Sequence, residues 1–280
     1  MKRLRSLALM ALGVMTLALS FSSCSDDDDN DYWKMVPNAL VTVKPISDGC
    51  YFQLDDNTTL KPGNINKKPF GDKEVRALVN YSVTDQKDET YGQVVNVNWI
   101  DSILTKKPVP CLATPEENDA KYGHDAVDIV RDWVTIAEDG YLTLRFRALW
   151  GNVKAHSINL IANVNPENPY EVELRHNTNG DPQMRWGDAL VAFDLNGVVP
   201  DTNGKTVKLT IKWKSTAGEK SVDFDYCSRK TIASPTLLNG FAKAGEVVVR
   251  EEGMSSKSSI IGKKMIYIVY EEKKRGVTIV

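Results

Sequence analysis

The stretch Arg131–Gly151 reads RDWVTIAEDGYLTLRFRALWG and carries the clearest strand pattern in the chain. After a Glu-Asp-Gly turn, its second half alternates strictly between apolar and polar side chains. The apolar positions are Leu142, Leu144, Phe146 and Ala148, and the positions between them are Thr143, Arg145 and Arg147. Because successive side chains of a strand point to opposite faces, the stretch predicts a strand with one face in a core and a polar second face.

Similar strand patterns recur on both sides of this stretch, separated by Asn-Gly, Asn-Pro and Thr-Ala-Gly turns. The segments are IVRDWVTIA, HSINLIANV, YEVELRHN, DALVAFDL, KTVKLTIKW and KSVDFDYC. About seven strands, each with one polar and one apolar face, are typical of a β-sandwich. We therefore predict a sandwich domain at residues 114–228, opening with a short helical turn in PEENDAKYGHDAVD.

The preceding chain carries a second and more compact set of strand patterns. They are ALVTVKP, CYFQLDDNTTLKP, EVRALVNYSVTDQ and QVVNVNWIDSIL. Roughly five short strands within one small domain fit a closed or partly open barrel, for which an OB-fold is the obvious candidate. Pro108, Pro110 and Pro115 interrupt regular structure after them, so we place this domain at residues 35–113. The predicted fold class is all-β, a small N-terminal OB-like barrel followed by a C-terminal β-sandwich.

A predicted export signal precedes the barrel. A basic start leads into an apolar run at residues 7–21, which is shorter than the about 20 residues needed to span a bilayer. Ser22-Ser23-Cys24 then looks like a bacterial lipobox, with Phe21 where leucine is usual. This predicts a signal peptide at residues 1–23 and a lipid on Cys24 that holds the protein to a membrane. A permanent anchor helix is the alternative.

An acidic block follows the lipobox cysteine. Its members are Ser25, Asp26, Asp27, Asp28 and Asp29. Like charges repel one another, so residues 24–34 predict an extended, solvated tether. The block also resembles the acidic export signal of Bacteroidota lipoproteins, which implies an outer-membrane lipoprotein displayed at the cell surface. A periplasm-facing lipoprotein with a plain polar spacer is the alternative.

The order of these features resembles that of the NigD-like lipoproteins of Bacteroidota. A lipobox and aspartate run, a barrel ending in NWIDSILTK and a sandwich entered through RDWVTIAEDGYLTLRFRALWG carry the resemblance over residues 1–228. It implies an N-terminal OB-type domain and a C-terminal sandwich, and its motifs are structural. The family is named after a member encoded in a bacteriocin cluster and proposed to serve immunity, so an immunity-like role is implied.

Residues 229–280 depart from that pattern. They hold ten Lys and Arg against five Glu, whereas residues 25–228 hold 22 basic and 32 acidic side chains. An extra hairpin is one interpretation of this basic tail, and read-through or frameshifted sequence is the other, which the abrupt change in composition favours. The acidic body excludes nucleic-acid binding through phosphate neutralisation.

The sequence contains no recognisable catalytic, cofactor or metal motif. GxSxG, GxGxxG and HExxH are absent, and adjacent carboxylates such as Asp55-Asp56 point to opposite faces of a strand. His156 and His176 stand at the ends of neighbouring predicted strands and could meet as metal ligands, although surface histidines at strand ends are commoner. We predict a non-enzymatic protein with no catalytic residue, metal or cofactor.

Three cysteines remain once Cys24 is lipidated, namely Cys50, Cys111 and Cys227. Their wide spacing without a CxxC pair argues against a redox or zinc motif. Because an exported protein can form disulfides, a Cys50–Cys111 bridge and three isolated buried thiols both stay open.

Binding and modification sites are predicted at three residues. Most tryptophans are expected in the core, but Trp150, beside Gly151, and Trp186 are the candidates for an exposed platform. Ser102 lies in an Asp-Ser-apolar triplet that resembles the O-glycosylation acceptor of exported Bacteroidota proteins, with an ordinary strand-end serine as the alternative. The predicted partner is a protein or, as the alternative, a carbohydrate beside a glycan-uptake system.

Overall fold

A computed structural model describes residues 33–229, and the predicted signal peptide, Cys24, the acidic block and residues 230–280 lie outside this range. Fifteen strands run through the described residues, as the all-β prediction requires. None of the helices in that range is both long enough and apolar enough to cross a membrane.

The first five strands close a barrel in the order β1-β2-β3-β5-β4. Neighbours are antiparallel except β3 and β5, which run parallel. Two register shifts, after Asn80 and after Val83, interrupt the β4–β5 ladder, and such bulges bend long strands so that a sheet can close. The bounds are β1 Ala39–Ile46, β2 Gly49–Gln53, β3 Thr59–Pro62, β4 Val75–Asp88 and β5 Gly92–Ser102.

The barrel core is a small apolar cluster. Its buried members are Ala39, Val41, Val43, Cys50, Phe52, Leu60, Ala77, Val79 and Val95. Burial raises the pKa of the Cys50 thiol to about 11, as expected for a packed and unreactive cysteine. Cys50, Cys111 and Cys227 are all free thiols, so the bridge considered between Cys50 and Cys111 does not form, and Cys111 is exposed.

Two sheets face each other in the sandwich. Sheet I contains β6 Leu104–Lys106, β13 Arg185–Asp194, β10 Tyr141–Trp150 and β8 Asp128–Val130, with β9 Ile136–Glu138 also paired to β10. Sheet II contains β15 Gly218–Tyr226, β14 Val207–Ser215, β12 Glu171–Asn177, β11 Ser157–Ala162 and β7 Val109–Pro110. The apolar positions of β10, from Leu142 to Ala148, enter the core between the sheets, as the alternation predicts.

Strand pairing with the sandwich begins before the boundary drawn from the sequence. β6 pairs in parallel with β13, and β7 with β11, so the linker residues at 104–110 already belong to the two sheets. The prolines on which the sequence boundary rests do not prevent this, because an edge strand tolerates proline.

The segment IVRDWVTIA, expected as one strand, is instead two short strands with a turn between them. The Asp132 side chain accepts a hydrogen bond from the Val134 N–H at 3.1 Å, and the Thr135 N–H donates to the Asp132 carbonyl at 3.2 Å. Aspartate stabilises turns in this way by bonding the backbone two residues ahead. The helical turn does form, as α1 (Pro115–Tyr122), capped by the Thr114 hydroxyl.

The barrel packs against one part of the outer surface of sheet I. An apolar cluster crosses the junction and contains Leu40, Leu78, Ile103, Val134, Leu190 and Ala192. Beside it, fully buried Arg76 of the barrel donates to Thr143 of β10 at 3.2 Å and to Glu138 of β9 at 2.6 Å. These contacts bury the outward faces of β1 and of the first half of β4, so both faces of the chain are packed there, whereas β4 is more exposed from Ser82 onward.

Arg229 adds a second ionic link between the domains. Its guanidinium lies 2.8 Å from Glu74 of the barrel and 3.0 Å from Asp139 of the sandwich, and Lys44 of the barrel also reaches Asp139 at 2.9 Å. Arg229, the first residue of the predicted basic tail, therefore contributes to the contact between the two domains.

Candidate functional site

The outer surface of sheet I is divided along the strands into a covered half and an uncovered half. Cross-strand partners Thr143 and Ala192 lie under the barrel. Toward the other end of the same two strands, Arg147 lies opposite Asp188, and Leu149 lies opposite Trp186. We call these last four residues the open face.

A buried carboxylate organises the open face. Asp188, with 3 % of its side chain exposed, accepts hydrogen bonds from Arg147 Nε at 2.6 Å and from Arg147 Nη2 at 3.0 Å. It also accepts from Arg145 Nε at 2.8 Å. Arg145 Nη1 donates to Asp132 at 2.8 Å, which ties the turn between β8 and β9 to the same network. Asp188 and Asp132 thus hold both arginines in fixed positions.

The charges of this network keep it ionised. Burial acts to raise the pKa of Asp188, but hydrogen bonds from Arg147 and Arg145 and their charges outweigh it and hold that pKa below its usual value. The hydrogen bond to Asp188 in turn raises the pKa of Arg147. Asp188 therefore carries a full negative charge at neutral pH, and the Arg147 guanidinium stays positive.

Arg147 keeps unused hydrogen-bonding capacity toward solvent. Its side chain is 46 % exposed, and its bonds to Asp188 use one N–H on Nε and one on Nη2. Among residues 33–229 its Nη1 has no hydrogen-bond acceptor, so three of the five guanidinium N–H groups are left without a partner in the described fold. Its fork geometry matches a carboxylate or a similar anion.

Trp186 supplies the apolar part of the open face. It is 52 % exposed, and its cross-strand neighbour Leu149 is partly buried beside it. Met184 and Arg185, which precede it at the start of β13, are also exposed. Trp186 is therefore exposed, as the predicted binding platform requires. Its role in binding stays a prediction.

Trp150, the second tryptophan expected at the surface, is buried, and that expectation is wrong. Only 1 % of it is exposed, its indole N–H donates to the Gly187 carbonyl at 3.0 Å, and its ring stacks on His156. The physical reason is strand parity, since Trp150 follows Ala148 on the core side of β10. The alternation in the sequence already indicated that Trp150 faces the core. The adjacent Gly151 suggested a strand end at the surface instead.

His156 and His176 do meet, but inside the protein and not at the surface. His156 Nδ1 lies 2.9 Å from His176 Nε2, its Nε2 lies 3.1 Å from Asp181, and His176 Nδ1 lies 3.2 Å from the Ala126 carbonyl. Burial, with the nearby His156, lowers the pKa of His176 to about 4. Every ring nitrogen has a partner, so the pair is a packed polar network.

Two further predictions concern metal and sugar attachment. Within the described chain, no group of three His, Cys, Asp or Glu side chains is arranged to hold a metal ion. Ser102 lies exposed at the end of β5, just before buried Ile103. Its glycosylation is sterically open and stays a prediction.

Comparison with known proteins identifies the family. A model described as the NigD-like N-terminal OB domain matches residues 40–103, and one described as the NigD-like C-terminal beta sandwich domain matches residues 110–226. The chain belongs to the NigD-like family. The predicted family and the predicted order of barrel and sandwich are both confirmed.

Solved structures from Parabacteroides and Bacteroides species are similar to this NigD-like chain. A protein provisionally described as toxin-related, from Parabacteroides distasonis, is 35% identical with a TM-score of 0.56, over 68% of this chain and 92% of that one. A Bacteroides vulgatus protein of unknown function is 23% identical with a TM-score of 0.56, over 67% and 89%. A NigD-like immunity protein from Bacteroides caccae is 20% identical with a TM-score of 0.47, over 66% and 90%. No protein of curated function matches.

The arginine–aspartate network of this NigD-like chain was missed at the sequence level. The alternation placed Arg145 and Arg147 together on the polar face of β10, but their partner Asp188 lies about forty residues later in DALVAFDL. The sequence did contain one signal. Two arginines on the same face of a strand need a nearby carboxylate to balance their charges if that face is partly buried.

Proposed function

We propose that this NigD-like protein is a lipid-anchored envelope protein that acts by binding a partner and not by catalysis. The observation that carries the proposal is the open face, where an exposed tryptophan lies beside an arginine whose position is fixed by a buried carboxylate. Trp and Arg are the side chains that contribute most often to binding hot spots.

The location is proposed from the N-terminal sequence. The lipobox at Cys24 predicts attachment to the outer membrane, and the aspartates that follow it predict display at the cell surface. Eight residues lie between Cys24 and Trp33, where the described residues begin, so the two are at most roughly 30 Å apart along an extended chain. The fold would then be held near the membrane, within reach of other envelope proteins and of secreted toxins.

Protease shaving of intact cells tests the anchoring and the display together. We expect cleavage of the wild-type protein, release of Cys24→Ala into the soluble fraction, and protection when Asp26–Asp29 are replaced by alanine. Protection of the wild type would contradict surface display and favour the periplasm-facing alternative. Label from palmitate should enter the wild type and not Cys24→Ala, and equal labelling of both would contradict the lipid anchor.

Toxin immunity is one specific form of this function, implied by the name of the family. Cells that lack the protein should then be more sensitive to a bacteriocin of neighbouring strains, and full resistance in the deletion strain would contradict immunity. Turnover of any substrate in a broad hydrolase screen would contradict the non-catalytic proposal.

Carbohydrate binding is the second candidate, and the exposed ring of Trp186 is the observation in its favour. A flat indole beside hydrogen-bond donors can stack on a sugar ring. Retention on immobilised polysaccharides, lost in Trp186→Ala, would favour this candidate over a protein partner.

A further inference from the structure

We propose that the open face binds an acidic segment of a partner protein, in which a partner carboxylate bonds to Arg147 and an apolar side chain packs on Trp186. The inference rests on the proposed binding function and names the class of partner and the residues that recognise it.

Arg147 is prepared for such a contact before the partner arrives. An exposed arginine normally loses side-chain freedom when it is immobilised in an interface, which costs about 0.5–1.5 kcal/mol. Here the bidentate bond to Asp188 has already fixed the guanidinium, and Asp188 is held in turn by Arg145. The remaining N–H groups of Arg147 can donate to a second carboxylate with little further ordering.

The charge that solvent can reach at this site is mainly positive: one partly exposed carboxylate, Asp128 on β8, lies opposite Arg147 and already accepts a hydrogen bond from Thr216. The carboxylates of the network are covered, since Asp188 is almost fully buried and Asp132 is mostly so. Exposed arginines surround them, with Arg147 on the open face and with Arg131 and Arg185 at the ends of β8 and β13. Because the rest of the body is strongly acidic, an acidic partner segment is attracted here and repelled elsewhere.

The apolar surroundings favour a protein over a glycan. Met184 is 73 % exposed, and Val153 is also exposed on a loop whose backbone N–H donates to Asp181 at 2.8 Å. The loops that carry Val153 and Met184 therefore adjoin at the end of the sheet where Trp186 begins its strand. A sugar needs one ring to stack on, whereas exposed Trp and Met side chains with an arginine at their edge are typical of a protein interface core.

Site-specific photo-crosslinking in cells tests the proposal. p-Benzoylphenylalanine is placed at Met184 of the full-length protein, which leaves Arg147 and Trp186 intact, and at Val83 as a control that is 63 % exposed on the barrel. We expect a protein cross-linked from position 184 and not from position 83, through a peptide that contains Asp or Glu.

That protein is then purified and its affinity for the full-length chain is measured. Arg147→Ala and Trp186→Ala should each weaken binding at least about tenfold, and Arg147→Lys should recover only part of the loss because lysine lacks the fork. Lys208→Ala, at an exposed ion pair on sheet II, is the matched control and should leave the affinity unchanged. Thermal melts confirm that each variant is folded.

The other outcomes separate the two proposals. A glycan cross-linked from position 184, or affinity insensitive to Arg147→Ala, would overturn the acidic-protein assignment while binding itself stands. Cross-links only from a scan of positions elsewhere on the surface would overturn the open face as the site. No specific product from any position would contradict the proposed binding function as well.

Discussion

Two arginines, one packed from the barrel onto the covered half of sheet I and one on its open face, show how the same side chain serves different roles. In the covered half, Arg76 donates to Thr42, Thr143 and Glu138 and is fully buried. On the open face, Arg147 is also held by a carboxylate, but about half of its side chain stays in solvent. One guanidinium has all three nitrogens bonded inside the protein, and the other keeps donors for a partner.

The difference comes from what packs on each half. The barrel removes water from Arg76 and Glu138, so their ion pair must be complete or it destabilises the junction. Nothing among the described residues covers Arg147, so its pair with Asp188 stabilises the fold only weakly and orients the exposed group instead. Side-chain type therefore does not decide whether a charged residue is structural or available for binding.

The largest expected effect is at Arg76. Arg76→Ala leaves Glu138 buried without its charge partner, so the free energy of unfolding should fall by about 3–5 kcal/mol. Denaturant unfolding measures this, with Arg147→Ala as the matched control on the open face. Equal effects of the two substitutions would contradict the distinction between the halves.

A pair of leucines gives the apolar version of the same contrast. Leu190 lies in the junction cluster on β13, whereas Leu149 lies on the open face of β10 and is only partly buried. Leu190→Ala should cost about 2–4 kcal/mol because it leaves a cavity between the domains. Leu149→Ala should cost about 1 kcal/mol or less. Denaturant unfolding measures both variants, and a larger loss of stability in Leu149→Ala than in Leu190→Ala would contradict the comparison.

Arg147→Ala should reduce stability by only about 1 kcal/mol, because the arginine is itself half exposed to solvent. Asp188 keeps its bond to Arg145, so no buried charge is left unpaired. The loss should appear as a small shift in unfolding midpoint at unchanged slope, while the affinity for the partner falls strongly. A loss of several kcal/mol would make Arg147 a structural residue like Arg76.

The smallest effect is a pair of opposite pKa shifts. Burial raises the pKa of Glu138 above its ordinary 4.5, with Arg76 offsetting part of the shift, whereas the arginines hold Asp188 below its ordinary 3.8. Asp188 thus contributes stability above its ordinary pKa that is lost as the pH falls through its folded pKa. Glu138 has the opposite sign, because the folded state binds its proton more tightly and its cost disappears in acid.

Carboxyl carbon NMR across pH 2–7 measures both midpoints. We expect Glu138 to titrate above 4.5 and Asp188 below 3.8, with the Asp188 midpoint rising in Arg147→Ala. Shifts in the same direction for both groups would contradict the assignment of the two halves.

Much of the architecture was predictable from local pattern. Alternation in Tyr141–Trp150 identified the core face of β10, and the short, closely spaced strands before it indicated the barrel. Both inferences depend only on the period of two that a strand imposes on its side chains. The turn at Asp132, the linker strands and the burial of the histidine pair were not predicted, because each depends on partners that are distant in sequence or on a single side-chain contact.

By itself, the sequence determined the two β domains, the family to which they belong and the side of each strand on which a residue lies. Only the tertiary structure decided which polar faces meet water. Strand parity sends Thr143 and Arg147 to the same face of β10, yet one lies beneath the barrel and the other is exposed. Local pattern specifies the direction of a side chain, whereas its burial depends on which domain docks there, and docking is set by the shape and contacts of both surfaces together.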